Sequence, residues 1–115
     1  MLLTALALSL CAPGPREHCV VDGDTFWHEG EKIRISDIDT PELNSQCAYE
    51  RNLAVKARNR LLTILQAPYR INRHGEDRYG RTLAVVTING RSVGDMLVSE
   101  GLALTWTGRR EPWCD

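Results

Sequence analysis

Between Cys19 and Ile38 apolar and polar residues alternate in short runs, and a period of two predicts strands. Cys19-Val20-Val21 and Thr25-Phe26-Trp27-His28 are rich in β-formers and flank Gly23, which reads as a turn or bulge. After the tight turn Glu29-Gly30-Glu31, residues 32–38 alternate strictly. Ile33, Ile35, Asp37 and Asp39 fall on one parity, and Arg34, Ser36 and Ile38 on the other. The mixed parity around Asp37 predicts a bend or bulge, because Arg34 and Asp39 cannot share a face of a regular strand. Over residues 48–66 the period becomes helical, with Leu53, Ala57, Leu61 and Leu65 on one stripe and Arg51, Lys56, Arg58 and Arg60 largely off it, until Ala67-Pro68 stops the element. Residues 69–73 and 81–88 read as strands around a loop at 74–80, and Asn89-Gly90 is a strong turn signal. Ser92 is placed to cap a short helix over 93–100, with Gly101 just past its end. Five short strands, a helix after the third and a second short helix make an α+β fold, a small OB-like β-barrel. No helical period follows Leu104.

At 115 residues the chain has room for a single core. No apolar run approaches the roughly 18 to 20 residues that span a bilayer, so no stable membrane association is expected. Residues 1–10 are predominantly apolar and Cys11-Ala12-Pro13-Gly14-Pro15 is small and turn-forming, which suits a secretory signal although no Lys or Arg precedes the run. The chain is therefore divided into 1–14, a signal peptide or disordered N-terminal segment, and 15–115, one domain. A secreted or periplasmic location and a monomer are expected.

The cysteines are Cys11, Cys19, Cys47 and Cys114, and without a Cys-x-x-Cys pair they make neither a zinc ribbon nor a thioredoxin-like motif. In an exported protein they are disulfide candidates. A net charge of −1 argues against a broad basic surface. Its distribution says more: residues 17–50 hold nine acidic and two basic side chains, and residues 51–81 hold eight basic and two acidic. A cation site on the first part and phosphate contacts on the second would fit that split.

Candidate chemistry lies in three segments: Asp22-Gly23-Asp24-Thr25, then Arg34 with Asp39-Thr40-Pro41-Glu42, then Asp77-Arg78-Tyr79-Gly80-Arg81. Alone, the first is a solvated turn, the second a helix start with Thr40 as N-cap and Pro41 at the first position, and the third a basic turn. As a calcium loop of the EF-hand kind Asp22-Gly23-Asp24 fails, because Phe26 and Ile33 stand where oxygen ligands belong. Together the segments offer Asp24, Asp39 and the Thr40 carbonyl as hard oxygen ligands for Ca²⁺. Glu42 can act as general base, and Arg34 and Arg81 can hold phosphate oxygens through planar forks. That is equipment for hydrolysing a phosphodiester.

In order and spacing these segments resemble the staphylococcal nuclease (thermonuclease) family, over roughly residues 19–104. The resemblance implies a nuclease-like OB-fold domain that cleaves DNA and RNA with calcium and leaves 3′-phosphates. It implies Asp24, Asp39 and Thr40 as calcium ligands, Glu42 acting on the water, Arg34 and Arg81 flanking the phosphate, and Arg78 and Tyr79 contacting the nucleotide phosphate. Asp22 is then an acidic neighbour of structural or supporting role. The resemblance also implies a disulfide between Cys47 and Cys114, since it puts the loop after Glu42 and the chain end on the same side of the pocket; Cys19 is left without a partner. Where the family carries a final helix and base-stacking tyrosines, this chain has Trp106-Thr107-Gly108-Arg109-Arg110. Trp106, Trp113 and a cross-link through Cys114 are expected to supply the missing packing. Trp106 reads either as core or as a base-stacking ring, with Arg109 or Arg110 on phosphate. The competing class is a non-catalytic nuclease-like OB-fold module that binds nucleic acid or a protein partner.

Overall fold

A computed structural model describes residues 8–114. The strands are β1 (Ser9–Leu10), β2 (Cys19–Asp22), β3 (Thr25–His28), β4 (Glu31–Ile35), β5 (Ile38–Asp39), β6 (Arg70–Glu76), β7 (Thr82–Ile88), β8 (Arg91–Ser92) and β9 (Leu104–Thr105); the helices are α1 (Ala48–Ile64) and α2 (Val93–Ser99). A mixed seven-stranded sheet runs β1-β2-β3-β4-β7-β6, with β8 on β7, and β5 pairs with β9 in a separate ladder. The α+β class thus stands, with more strands than the five expected. Four of them, β1, β5, β8 and β9, are two residues long and carry no period of their own.

Turn chemistry sets the hairpins. Glu29 and Gly30 both adopt positive φ between β3 and β4, as do Asn89 and Gly90 between β7 and β8, the backbone that a two-residue hairpin turn requires. The regular run expected over 32–38 breaks after Ile35, and Ile38 resumes in the other ladder against Thr105. The loop expected at 74–80 is shorter than predicted, because β6 continues to Glu76.

Helix α1 starts at Ala48 and ends at Ile64, two residues before the expected Gln66. Its buried stripe is Glu50, Ala54, Ala57, Leu61 and Ile64, which packs on β2 and α2. Leu53, expected on that stripe, is only half-buried, whereas Leu65 is buried. Ser92 caps α2 by accepting the Asp95 N–H at 3.0 Å, and Gly101 adopts positive φ just beyond it. The core centres on Phe26, Ile33, Ile35, Ile38, Leu61, Val86, Val93 and Leu97.

Of the segment 1–14, residues 1–7 lie outside the described residues. Leu8 is buried, Ser9 and Leu10 pair in parallel with Cys19 and Val20, and Cys11 is bonded to Cys19. That disulfide supplies the partner the sequence left unassigned. A second disulfide joins Cys47 to Cys114 across 67 residues, a separation worth about 4 kcal/mol in the chain-entropy account. Among the described residues no helix is long and apolar enough to cross a membrane.

Candidate active site

The β2–β3 turn carries the first acidic pair. Asp22 Oδ1 accepts the Asp24 N–H at 3.2 Å, and Asp24 Oδ1 accepts the Thr25 hydroxyl at 2.9 Å. Gly23 lets this turn close against its neighbours, since a Cβ there would lie 2.9 Å from Ala57 Cβ and 3.3 Å from Thr40 Cγ2. Across the β3–β4 ladder Arg34 stands opposite Thr25, with Nη1 3.5 Å from Asp24 Oδ2. Its guanidinium donates to the Ile35 carbonyl and, at 2.9 Å, to the Ile38 carbonyl. Arg34 therefore clamps the bend between β4 and β5. This resolves the parity conflict, because Arg34 and Asp39 belong to different ladders.

A second acidic group forms where β5 leads into the loop before α1. Asp39 and Thr40 are buried, and Pro41 starts no helix, contrary to the simplest reading of Thr40-Pro41. Glu42 instead donates its N–H to Glu50 Oε2 at 2.8 Å, and Ser45 Oγ donates to Glu50 Oε1 at 2.7 Å. Arg110 reaches into this group from the segment after β9. Its Nη1 donates to Asp39 Oδ1 at 3.0 Å and to the Thr40 carbonyl at 3.3 Å, and lies 3.6 Å from Glu42 Oε1. Its Nη2 donates to Glu50 Oε2 at 2.6 Å, while the Glu111 N–H takes Asp39 Oδ2 at 3.1 Å.

The third segment is ordered by Asp77, which accepts the N–H groups of Tyr79 and Arg81 at 2.9 and 3.0 Å and the Arg81 Nε at 2.6 Å. Burial pushes the Asp77 carboxyl up, but the bonds from Arg81 and Tyr79 outweigh it and the pKa is lowered. Arg81 Nη1 lies 3.5 Å from Thr25 Oγ1, beside the first acidic pair. Tyr79 is 67% exposed, with the Arg78 guanidinium carbon 5.0 Å from its ring centroid.

One cavity of ≈ 230 Å³ is lined by Asp22, Asp24, Arg34, Asp39, Thr40, Pro41, Glu42, Arg81, Trp106 and Arg110. It gathers Asp24, Arg34, Asp39, Thr40, Glu42 and Arg81; Arg78, Tyr79, Cys47 and Cys114 are outside its lining. Trp106 is 40% exposed and belongs to this wall rather than to the core. A larger cavity of ≈ 490 Å³, lined by His18, His28, Tyr69 and Pro68 among others, shares no residue with it and holds no arginine. Cys47, Glu50 and Cys114 bring potential ligand atoms within 4.8 Å of one another, but both sulfurs are committed to the disulfide.

The donors facing the smaller cavity are hard oxygens, and their electrostatics fit a cation. Burial first, and then the neighbouring Asp24 carboxylate, push Asp22 up from 3.8 to about 7. A cation at this turn would relieve that crowding, and the Asp24, Asp39 and Thr40 oxygens are of the type that Ca²⁺ accepts. Glu50 behaves in the opposite way. Burial would raise its pKa, but the bonds from Ser45 and the Glu42 N–H and the Arg110 charge lower it.

No motif in the sequence singles out Glu50. The available signal was its place on the stripe with Ala54, Ala57, Leu61 and Ile64, where a carboxylate must be buried and therefore partnered. Arg110, expected on phosphate, contacts carboxylates instead.

Comparison with known proteins identifies the family. The chain is 33% identical over 111 residues to an uncharacterized endonuclease of Haemophilus influenzae, covering 90% of this chain and 60% of that protein. It is 32% identical over 91 residues to a thermonuclease of Staphylococcus intermedius, covering 73% and 54%. It is 30% identical over 92 residues to the succinoglycan biosynthesis protein ExoI of Rhizobium meliloti, covering 74% and 48%. The chain thus spans about half to three fifths of the length of these relatives. Residues 32–113 match the family described as staphylococcal nuclease homologue, and the chain belongs to that family.

Proposed function

We propose that this protein is a calcium-dependent nuclease that hydrolyses phosphodiester bonds of DNA and RNA and leaves 3′-phosphates. The observation that carries the reading is the lining of one small cavity by Asp24, Arg34, Asp39, Thr40, Glu42 and Arg81, drawn from three separate segments. Asp24, Asp39 and the Thr40 carbonyl would hold Ca²⁺. When bound, the cation supplies positive charge against the phosphoryl oxygens and helps to orient the attacking water. Glu42, whose side chain is 56% exposed, accepts the proton from that water. Arg34 and Arg81 each offer a planar pair of donors to phosphate oxygens as negative charge develops there. Arg78 and Tyr79, on the exposed turn beside Arg81, contact the incoming strand.

The sheet is taken to curl in the OB-like manner of the family, with the parallel β4–β7 pairing joining its two halves. The two disulfides support an exported protein, secreted or periplasmic, and we propose that it acts as a monomer. The test is cleavage of single-stranded DNA by purified protein with Ca²⁺, with EDTA, and beside Arg34→Ala to exclude a contaminant. Calcium-dependent cleavage lost in the variant is the expected result. No cleavage by a folded, calcium-binding protein would overturn the enzyme reading in favour of a binding module.

A further inference from the structure

Arg110 makes contacts that the proposed cation would need. Nη1 occupies Asp39 Oδ1 at 3.0 Å and the Thr40 carbonyl at 3.3 Å, and the Glu111 N–H occupies Asp39 Oδ2 at 3.1 Å. Two of the three expected ligands are therefore covered by one stretch of chain. A guanidinium offers positive charge and N–H donors to the same oxygen lone pairs that a hard cation uses, so the two compete for them.

The covering stretch is fixed at both ends. On one side β9 pairs with β5 and the Trp106 N–H donates to the Asp37 carbonyl at 2.9 Å; on the other Cys114 is bonded to Cys47. Tethering of this kind keeps Arg110 at high effective concentration beside Asp39. The Arg110 side chain is nevertheless 41% exposed, so it can leave without opening the core. Its bond to Glu50 at 2.6 Å gives it a second berth while Nη1 moves away from Asp39.

We infer that residues 106–114 form an autoinhibitory strap, in which the Arg110 guanidinium and a divalent cation exclude one another at Asp39 and Thr40 and the Cys47–Cys114 bond strengthens the competition. This rests on the cation site proposed above.

The test is calorimetric titration with Ca²⁺ of the wild type, Arg110→Gln, the double variant Cys47→Ser/Cys114→Ser, which keeps the other disulfide, and Asp24→Ala. Arg110→Gln should bind Ca²⁺ about tenfold more tightly, the scale of one charge-assisted contact no longer given up. The double cysteine variant should gain a smaller factor, because an untethered strap is locally more dilute. Asp24→Ala should not bind. Since Arg110→Gln also removes a partner of Glu50, the wild type is followed in parallel by NMR of its ¹⁵N-labelled arginines, and the Arg110 side-chain resonances should move as Ca²⁺ saturates. Binding by Arg110→Gln no tighter than by the wild type, or saturation with the Arg110 resonances unmoved, overturns the strap and leaves the cation site standing. Absence of binding in both proteins, or undiminished binding by Asp24→Ala, overturns the cation reading and the strap with it.

Discussion

At the β2–β3 turn, Asp22 and Asp24 lie against each other with Arg34 3.5 Å from Asp24, and Asp22 is driven up to about 7. At the end of β5, Asp39, Glu42 and Glu50 share Arg110, and Glu50 is driven down. Burial pushes both carboxyls up, and at Asp22 it is the largest cause. What separates the two groups is the supply of donors. Glu50 accepts from Ser45, the Glu42 N–H and Arg110, whereas Asp22 has another carboxylate as its near neighbour. The Glu50 carboxylate is satisfied by the chain's own donors, whereas Asp22 retains a crowding that a ligand could relieve.

The largest effect is expected from removing the acceptor at the completed group. Glu50→Ala leaves the Glu42 N–H and Arg110 without their shared partner and should cost about 3 kcal/mol in urea unfolding. A cost below about 1 kcal/mol would mean that water replaces Glu50 as the acceptor of these donors. The opposite sign is expected at the turn. Because the folded-state value of Asp22 is raised from 3.8 to about 7, its contribution is fully present below pH 3.8 and is lost as pH rises through about 7. Asp22→Asn should therefore gain about 2 kcal/mol at pH 8 in chelator and flatten the stability profile between those values. An unchanged profile would show that Asp22 is not crowded. The smallest effect belongs to a pair outside both groups. Arg73 hydrogen-bonds Glu31, with Thr82 contributing next, and lowers it from 4.5 to about 2, so the contribution is present above pH 4.5 and is lost as pH falls through about 2. Both side chains are substantially exposed, and Arg73→Ala should lower stability only slightly at neutral pH and less in high salt. A large loss would mean that exposed pairs here are worth as much as buried ones.

The parts of the molecule legible in sequence are those whose cause is local. Gly23 between two aspartates, Asn89-Gly90 and Ser92 before Asp95 each specify backbone within a few residues. The conflict of parity around Asp37 correctly announces the bend that Arg34 clamps. Contacts between distant residues were less accessible. Arg110 meets Asp39 and Glu50 only because β9 pairs with β5, and a two-residue ladder leaves no hydrophobic period. Cys11 meets Cys19 because β1 lies parallel to β2, an equally short pairing. The helix stripe runs through Ala54 rather than the more apolar Leu53, and at Ala57 the close approach of the Gly23 turn admits only a small side chain.

The parallel pairing of β4 with β7 aligns Ile33 with Thr82 and Arg34 with Leu83, residues about fifty apart in the chain. Arg34 and Arg81 are thus held at a fixed spacing by hydrogen-bond register, and a slip of two residues along β7 would displace one from the other by about 7 Å while leaving every side chain on its proper face. Such a misaligned chain would keep its apolar contacts largely intact and still lack the arrangement around the cavity. Assembly of the site is therefore expected to wait on a non-local contact whose loop-closure entropy must be met before the pairing is rewarded. The amide of Ser36, bonded to the Ala84 carbonyl at 2.9 Å, sits at that junction, and its hydrogen-exchange protection reports whether the two arginines are in step.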